Sequence, residues 1–499
     1  MTDLRHRTRS RNGVRTDARN SVSHRTTVRR SSVRCALAAL GLWTIAACSP
    51  SSLVDVQSPS TVVDPTLINT ASAAAQLRNG TIVRMMGAMT PIIEMSGWIT
   101  DELSDTYYTS GQTADDRIVL DLAHGKNPGA GGYDQIQGAR VRAFQARQAL
   151  QLYANNVPGV PNAWQGEMYA LEGYTVVWFA ELYCSGIPLT VVPLVGPQSP
   201  TQGFSTTELY ARAIALFDSA MVAGADSAQY VNLARVGKAR ALLDLRQFSA
   251  ADSVAQNVPT DFVYVIPSVT SADDGNGYFN FSNNFPNGSY RVQDREGGNG
   301  LVWSNDPRTG ITTVPDMTSG MLWPAKYNRT DSGDPDPTTS RLGVSIRLAD
   351  GLEARLIQAE VALSRGDASW LTTLNMLRST CVGNAACAPI SGLTTSSLPA
   401  MSDPGTPASR LDSLMSDRAK WLYLTGHREG DLRRLTRVYS RDRNTVWPTG
   451  VLSIPAFPNT FPVPGQENGM PYGPDTVYQP DQNEKLNNPL YGGCFDTNP

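Results

Sequence analysis

The chain has 499 residues, 41% of them hydrophobic and 17% charged, with 42 Lys and Arg against 45 Asp and Glu. Ten of the arginines but only two of the acids fall in residues 1–47, so the rest carries 32 basic against 43 acidic side chains, a net charge of −11. That balance leaves no electrostatic footprint for nucleic acid or for anionic lipid, and the length suits a large core or two packed lobes.

The Arg-rich start leads into an apolar run, Ala36 to Ala47, far shorter than the ~20 residues of a membrane-spanning helix. Residues 1–47 therefore read as a secretory signal peptide. Ile45-Ala46-Ala47-Cys48 resembles a bacterial lipoprotein lipobox. The resemblance implies cleavage before Cys48 and acylation of its sulfur and new amino group, and multiple acyl chains make a stable anchor. An ordinary signal with an incidental Cys is the alternative reading. The long leader fits a start placed too early, with Val22 or Val28 as the true start. Residues 48–60 read as the lipidated Cys and a polar tether.

Residues 61–499 read as one domain in four parts: 61–260 helical, 261–345 a loop-rich insertion, 346–440 helical again, and 441–499 a loop-rich tail. Ala71 to Met86, Tyr133 to Tyr153 and Gln165 to Tyr183 are predicted helices, the last with Leu171, Tyr174, Trp178 and Leu182 on one stripe. Ser205-Thr206-Thr207-Glu208 is a capping box, followed by Leu209, Ala213, Leu216 and Ala220 at helical spacing. Asn232 to Leu245 and Ser249 to Val258 pair Ala239, Leu243, Phe248, Ala251 and Ala255 in the manner of a degenerate tetratricopeptide-like hairpin, whose small residues let helices approach. Phe262 to Ile266 is a predicted strand, and Gly/Asn-rich turns follow. Helices resume at Gly351, at Ser369 to Leu377, and from Ala408 to about Gly426.

Beyond Cys48 there are four cysteines, Cys184, Cys381, Cys387 and Cys494, read as two disulfides with three connectivities possible. Cys381 with Cys387 would close a local loop and leave Cys184 with Cys494. Zinc is the rival, although no His lies near and the spacing is not that of a zinc site.

Catalytic templates fail: there is no HExxH, no GxSxG and no P-loop. Gly129-Ala130-Gly131-Gly132 follows no convincing strand, against a dinucleotide site. Asp331, Asp334 and Asp336 are calcium-capable but sit in a solvated Gly/Pro loop. In the segment Arg418 to Leu435, a catalytic reading makes His427 a base oriented by Asp431. The preferred structural reading breaks the helix at Gly426 and pairs Arg428 with Asp431. No catalytic residue, cofactor or metal is assigned.

Thr425-Gly426-His427-Arg428-Glu429-Gly430-Asp431-Leu432-Arg433-Arg434 resembles the "EGhRxxDLrR" signature of the SusD/RagB family of outer-membrane nutrient-binding lipoproteins, with Thr425 in place of the usual Glu. Gly351 to Glu360 is similar to the family's "EArLIxAE" helix, Leu374 to Arg378 to "LNxLR", and Leu53-Val54-Asp55-Val56 with Pro59-Ser60 to its "LdVxxPs" opening. The resemblance implies a mainly α fold, a tetratricopeptide-like scaffold with a loop-rich, irregular second part. It also implies a non-enzymatic subunit that captures glycan or another nutrient oligomer for a SusC-like TonB-dependent transporter, lipid-anchored at the outer membrane and facing the cell exterior. A lipid-anchored hydrolase and a tetratricopeptide-type envelope scaffold are the alternatives. Sugar rings present apolar faces to aromatic side chains, so the expected ligand-binding residues are Trp98, Asp101, Tyr107, Tyr108, Tyr290, Trp303 and Trp323, with Asp105 and Tyr327 nearby. Ser49-Pro50-Ser51-Ser52 lacks the acidic cluster that often marks surface export in this family.

Overall fold

A computed structural model describes residues 70–105, 128–153, 160–267, 290–291, 296, 298–304, 306–309, 311–313, 322–324, 345–380, 398–450, 476–480 and 482–497. The chain divides into two compact units, Met1–Val63 and Asp64–Pro499. The first, which holds Cys48 and the expected signal and tether, lies outside the described residues.

The second unit is mainly α-helical. Helix α1 spans Ala71–Ile99 and is capped by Thr70, whose hydroxyl accepts from the Ala73 amide. It runs well past the expected end at Met86 and through Pro91. From Met85 onward it is buried on nearly every side by Met86, Met89, Ile92, Ile93, Met95 and Ile99, so packing outweighs the hydrogen bond that Pro91 removes. That all-round burial also erases the apolar stripe by which an amphipathic helix is read.

Helices α2 (Pro128–Leu152), α3 (Ala163–Leu182), α4 (Thr206–Ala223), α5 (Ala228–Asp244) and α6 (Phe248–Ala255) then stack, each against the one before, as hairpins. The capping box is present: Ser205 Oγ accepts from the Glu208 amide at 3.2 Å, and Glu208 Oε2 accepts from the Ser205 amide at 2.8 Å. Close approach is achieved where a Cβ has no room. One added at Gly166 of α3 would lie 2.4 Å from the Gly224 backbone beyond α4.

Between α3 and α4 stands a short ladder, β2 (Ile187–Pro188) with β3 (Gly203–Phe204). The predicted strand is β4 (Val263–Ile266), and its antiparallel partner is β8 (Ile346–Asp350). The chain between them therefore leaves and returns at one ladder. Within it are β5 (Tyr290–Arg291), which pairs with β1 (Ser104–Asp105), and β6 (Ile311–Thr313), which pairs with β7 (Leu322–Pro324).

Asp350 ends β8 and caps α7 (Gly351–Ser364), its Oδ1 accepting from the Glu353 amide at 2.8 Å. Next come α8 (Ser369–Thr380), α9 (Pro407–Trp421) and α10 (Arg428–Arg437). The helix expected to reach Gly426 stops earlier, because Leu424 (φ 53°) and Gly426 (φ 77°) are both left-handed.

A disulfide joins Cys184 to Cys494 across 310 residues, with Cα atoms 5.8 Å apart, and fastens the segment after α11 (Gln482–Asn487) to the end of α3. Backbone bonds reinforce it: the Cys184 amide donates to Tyr478 and the Ser185 amide to Asp496. Cys381 and Cys387 lie outside the described residues.

Candidate functional site

The signature segment runs through the core, and its charges are answered by residues from far along the chain. Arg418 Nε of α9 lies 2.9 Å from Asp431 Oδ1, and Arg434 Nη2 reaches the same oxygen at 2.8 Å. Arg434 also holds Glu360 of α7 at 2.7 and 3.0 Å and Asp244 of α5 at 2.8 Å. The expected pair of Arg428 with Asp431 is not formed. Arg428 instead makes a fork to Glu296, at 2.7 and 2.6 Å, because Asp431 is already taken by two other guanidiniums. Arg418, Asp431, Glu360 and Glu296 are each at most 1% exposed.

Burial alone would raise the Asp431 carboxyl, but the Arg418 and Arg434 guanidiniums outweigh it and hold the group well below the usual carboxylate range. The adjacent Glu429 has the opposite fate. Burial pushes it well above the usual range, Arg433 offsets only part of that, and neither of its oxygens has a hydrogen-bond partner. Two acids two residues apart are thus shifted in opposite directions.

His427 is no general base oriented by Asp431. Its Nδ1 lies 2.7 Å from Thr425 Oγ1, and its Nε2 lies 2.9 Å from Arg240 Nη1 and 3.2 Å from Glu353 Oε1. Burial and then the Arg240 cation keep its pKa below the ordinary imidazole value, against a partial pull from Glu353. Arg240 itself forks onto Glu181 of α3.

This cluster has a mechanical task, which is to hold the end of α1. Gly426 comes so close to Ile92 that a Cβ would sit 2.6 Å from its Cγ2. The Glu429 amide donates to Ser96 Oγ at 3.1 Å, the Leu424 amide to Glu102 Oε1 at 3.4 Å, and Tyr423 Oη to the Glu102 carbonyl at 3.4 Å. At that end Asp101 takes a left-handed φ of 62°, a conformation Asp tolerates better than most residues, and the chain turns into β1.

Several expected ligand-binding residues converge there. Trp98 is half-buried in the last turn of α1, whereas Asp101, directly after it, is 1% exposed, too buried to meet a ligand, and leaves the set. In the β1–β5 ladder Asp105 stands opposite Tyr290, and β7, with Trp323 opposite Thr312, lies against β5. Tyr107, Tyr108 and Tyr327 lie outside the described residues. Trp303 must be removed from the set. It is 0% exposed, its ring 4.9 Å from Tyr423 and under the Arg428 guanidinium, and a ring with no free face cannot stack on a sugar. Sequence reasoning missed Glu102, Glu181, Arg240, Glu296 and Glu353, the partners that make the cluster. The available signal was acids and arginines embedded in otherwise apolar helices, such as Glu167, Glu172 and Glu181 in α3.

Among the described residues no helix is long and apolar enough to cross a membrane, and no group of three or more His, Cys, Asp or Glu is arranged to hold a metal ion. No family model and no curated protein sequence matches the chain. Solved structures do. NanU of B. fragilis superposes with a TM-score of 0.60 at 12% identity, over 88% of this chain and 99% of that one. A SusD superfamily protein of Parabacteroides distasonis gives 0.57 at 12% identity, over 85% and 98%. A SusD-like carbohydrate binding protein of Bacteroides vulgatus gives 0.52 at 15% identity, over 84% and 97%. The chain therefore shares the SusD-like fold, with its stacked helical hairpins.

Proposed function

We propose that this chain is a SusD/RagB-type binding subunit: lipid-anchored through Cys48 at the outer membrane, facing the cell exterior, and capturing glycan or other nutrient oligomers for a SusC-like TonB-dependent transporter. The observation that carries the reading is how the signature is used. In a fold shared with SusD-like proteins, one of them described as carbohydrate binding, the Gly-His-Arg segment packs under the end of α1. There Trp98 and the β1–β5–β7 strands collect the aromatic and acidic residues expected to meet ligand. Arg428, Asp431 and Arg434 of the signature are each answered by buried partners, so the role assigned to them is support, and capture is binding without chemistry.

Calorimetry of the mature protein against a panel of glycans and peptides tests this reading. Saturable binding of at least one oligomer is expected, weakened about tenfold or more in Trp98→Ala, equivalent to ~1.4 kcal/mol. Equal affinity in the variant would reject the ligand face, and turnover of the bound oligomer would reject binding without chemistry.

A further inference from the structure

Among the described residues eight large apolar side chains stand exposed, and six of them gather on one surface: Leu152, Val191, Val195, Leu486, Leu490 and Phe495, between 38 and 81% exposed. Apolar residues exposed singly are ordinary, whereas a shared patch marks a contact site. The segment after β2 is laid along α2 by side chains spaced to meet an extended backbone. Gln137 Nε2 donates to the Pro188 carbonyl at 2.8 Å, Arg140 Nη2 to that of Thr190 at 2.6 Å and Gln145 Nε2 to that of Val192 at 3.3 Å. Gln148 Oε1 accepts from the Leu194 amide at 2.8 Å, and Leu152, four residues on, shares its face of α2 and so stands beside Leu194 and Val195. The C-terminal segment joins the other edge. Thr201 accepts from the Leu189 amide through Oγ1 and from Asn488 Nδ2 through its carbonyl, both at 2.9 Å, and Leu486 and Leu490 flank Asn488. Phe495 follows the disulfide and lies against Gly186, where an added Cβ would sit 2.9 Å from its ring.

We propose that this surface is the docking face for the transporter of the reading above, on which the choice of partner rests. Its chemistry favours a protein. Residues 185–207 hold no Asp, Glu, Lys or Arg, in a chain where 17% of residues are charged. The exposed Gln198, Ser199 and Gln202 give the apolar side chains a neutral polar rim, and charge-depleted centres with polar rims are the composition of protein interfaces. Anionic lipid is met by clustered Lys and Arg with interfacial Trp, and residues 185–207 contain none of these. The surface is also fixed before it binds, by the α2 side chains, by Thr201 and by the Cys184–Cys494 bridge, so little ordering entropy opposes docking. Its position suits transfer. Glu484 of α11 accepts from Tyr133 Oη at 3.1 Å, Tyr478 Oη donates to the Met95 carbonyl at 2.8 Å, and Met95 lies one turn before Trp98. A partner seated here meets the chain beside the proposed ligand face.

Mild-detergent pull-down of the tagged full-length chain from native outer membranes tests the face. Val195→Asp and Leu490→Asp place a charge at exposed positions, so their thermal midpoints should stay within ~2 °C of the wild type. Recovery of the co-purifying β-barrel is expected to fall about tenfold or more in each, whereas Val222→Asp, at an exposed position elsewhere, keeps the wild-type level. Undiminished recovery in the face variants would overturn the proposal, as would equal loss in Val222→Asp. Two other occupants would also overturn it: a second copy, if light scattering shows self-association of the mature protein that the same changes abolish, or lipid, if they abolish flotation of the Cys48→Ala protein with phosphatidylethanolamine–phosphatidylglycerol vesicles. Calorimetric oligomer affinity should match the wild type in both face variants, and its loss there would assign the surface to capture instead. A wild type that recovers no β-barrel rejects the partner reading itself, while a barrel retained by the face variants rejects only this face.

Discussion

Asp431→Asn is expected to destabilise the protein by about 3–5 kcal/mol, the usual cost of removing one partner from a buried ion pair. The substitution keeps the shape of the side chain, so what is lost is charge. Arg434 retains Glu360 and Asp244. Arg418, 1% exposed, bonds to Asp431 alone among the described residues, and its Nη1 has no hydrogen-bond partner there even in the wild type. The penalty therefore falls on an arginine left buried with its charge unanswered, and it is a large share of the ~5–15 kcal/mol that holds a typical domain folded. Asp403→Asn, which breaks an exposed pair with Arg410, is the control and should leave the denaturation midpoint where it was. The sign with pH follows from the depressed Asp431 value. Its contribution is present above ~3.9, the unfolded value, and is lost as pH falls through the folded one. Urea midpoints for wild type and variant should thus differ widely at pH 7 and converge on strong acidification. A gap of the same size at both ends of that range would contradict the charge argument.

Removal of the Cys184–Cys494 bridge in the double Ser variant is expected to cost about 3–5 kcal/mol. Closing a loop of 310 residues restricts the unfolded chain strongly, and the chain-entropy model gives roughly 6 kcal/mol for a loop of this length. The expected cost lies below that figure because native backbone bonds hold the same join: Ser185 N–H to Asp496, Phe495 N–H back to Ser185, and Tyr478 N–H to Leu182. Denaturant unfolding with and without reductant is the measurement. The wild-type midpoint should drop toward that of the Ser variant when reduced, and a loss under ~1 kcal/mol would mean that these backbone bonds alone secure the tail.

What the sequence disclosed was local. The Ser205–Glu208 capping box, the hairpin of α5 and α6 and the strand Val263–Ile266 each depend on neighbours a few residues apart, and each was readable. The extent of α1 was not, since a helix buried all round has no polar face to mark its period. Nor was the partner of Arg428. Local spacing favoured Asp431, three residues on, while the structure supplies Glu296, 132 residues away. Trp303 was misjudged for a related reason: its segment carries loop residues, but the fold tucks that turn beneath Tyr423 and Arg428. At the proposed ligand face, residues far apart in the chain, such as Asp105 and Tyr290, meet through a two-residue ladder too short to announce itself.

The central claim is a tethered binder that serves a transporter, and mild-detergent pull-down of the affinity-tagged full-length chain from its native outer membranes tests it most directly. The account predicts co-purification of one large β-barrel protein in near-stoichiometric amount, and release of the tagged chain into the soluble fraction in Cys48→Ala. Recovery without any β-barrel partner, or a Cys48→Ala chain that stays in the membrane, would contradict it.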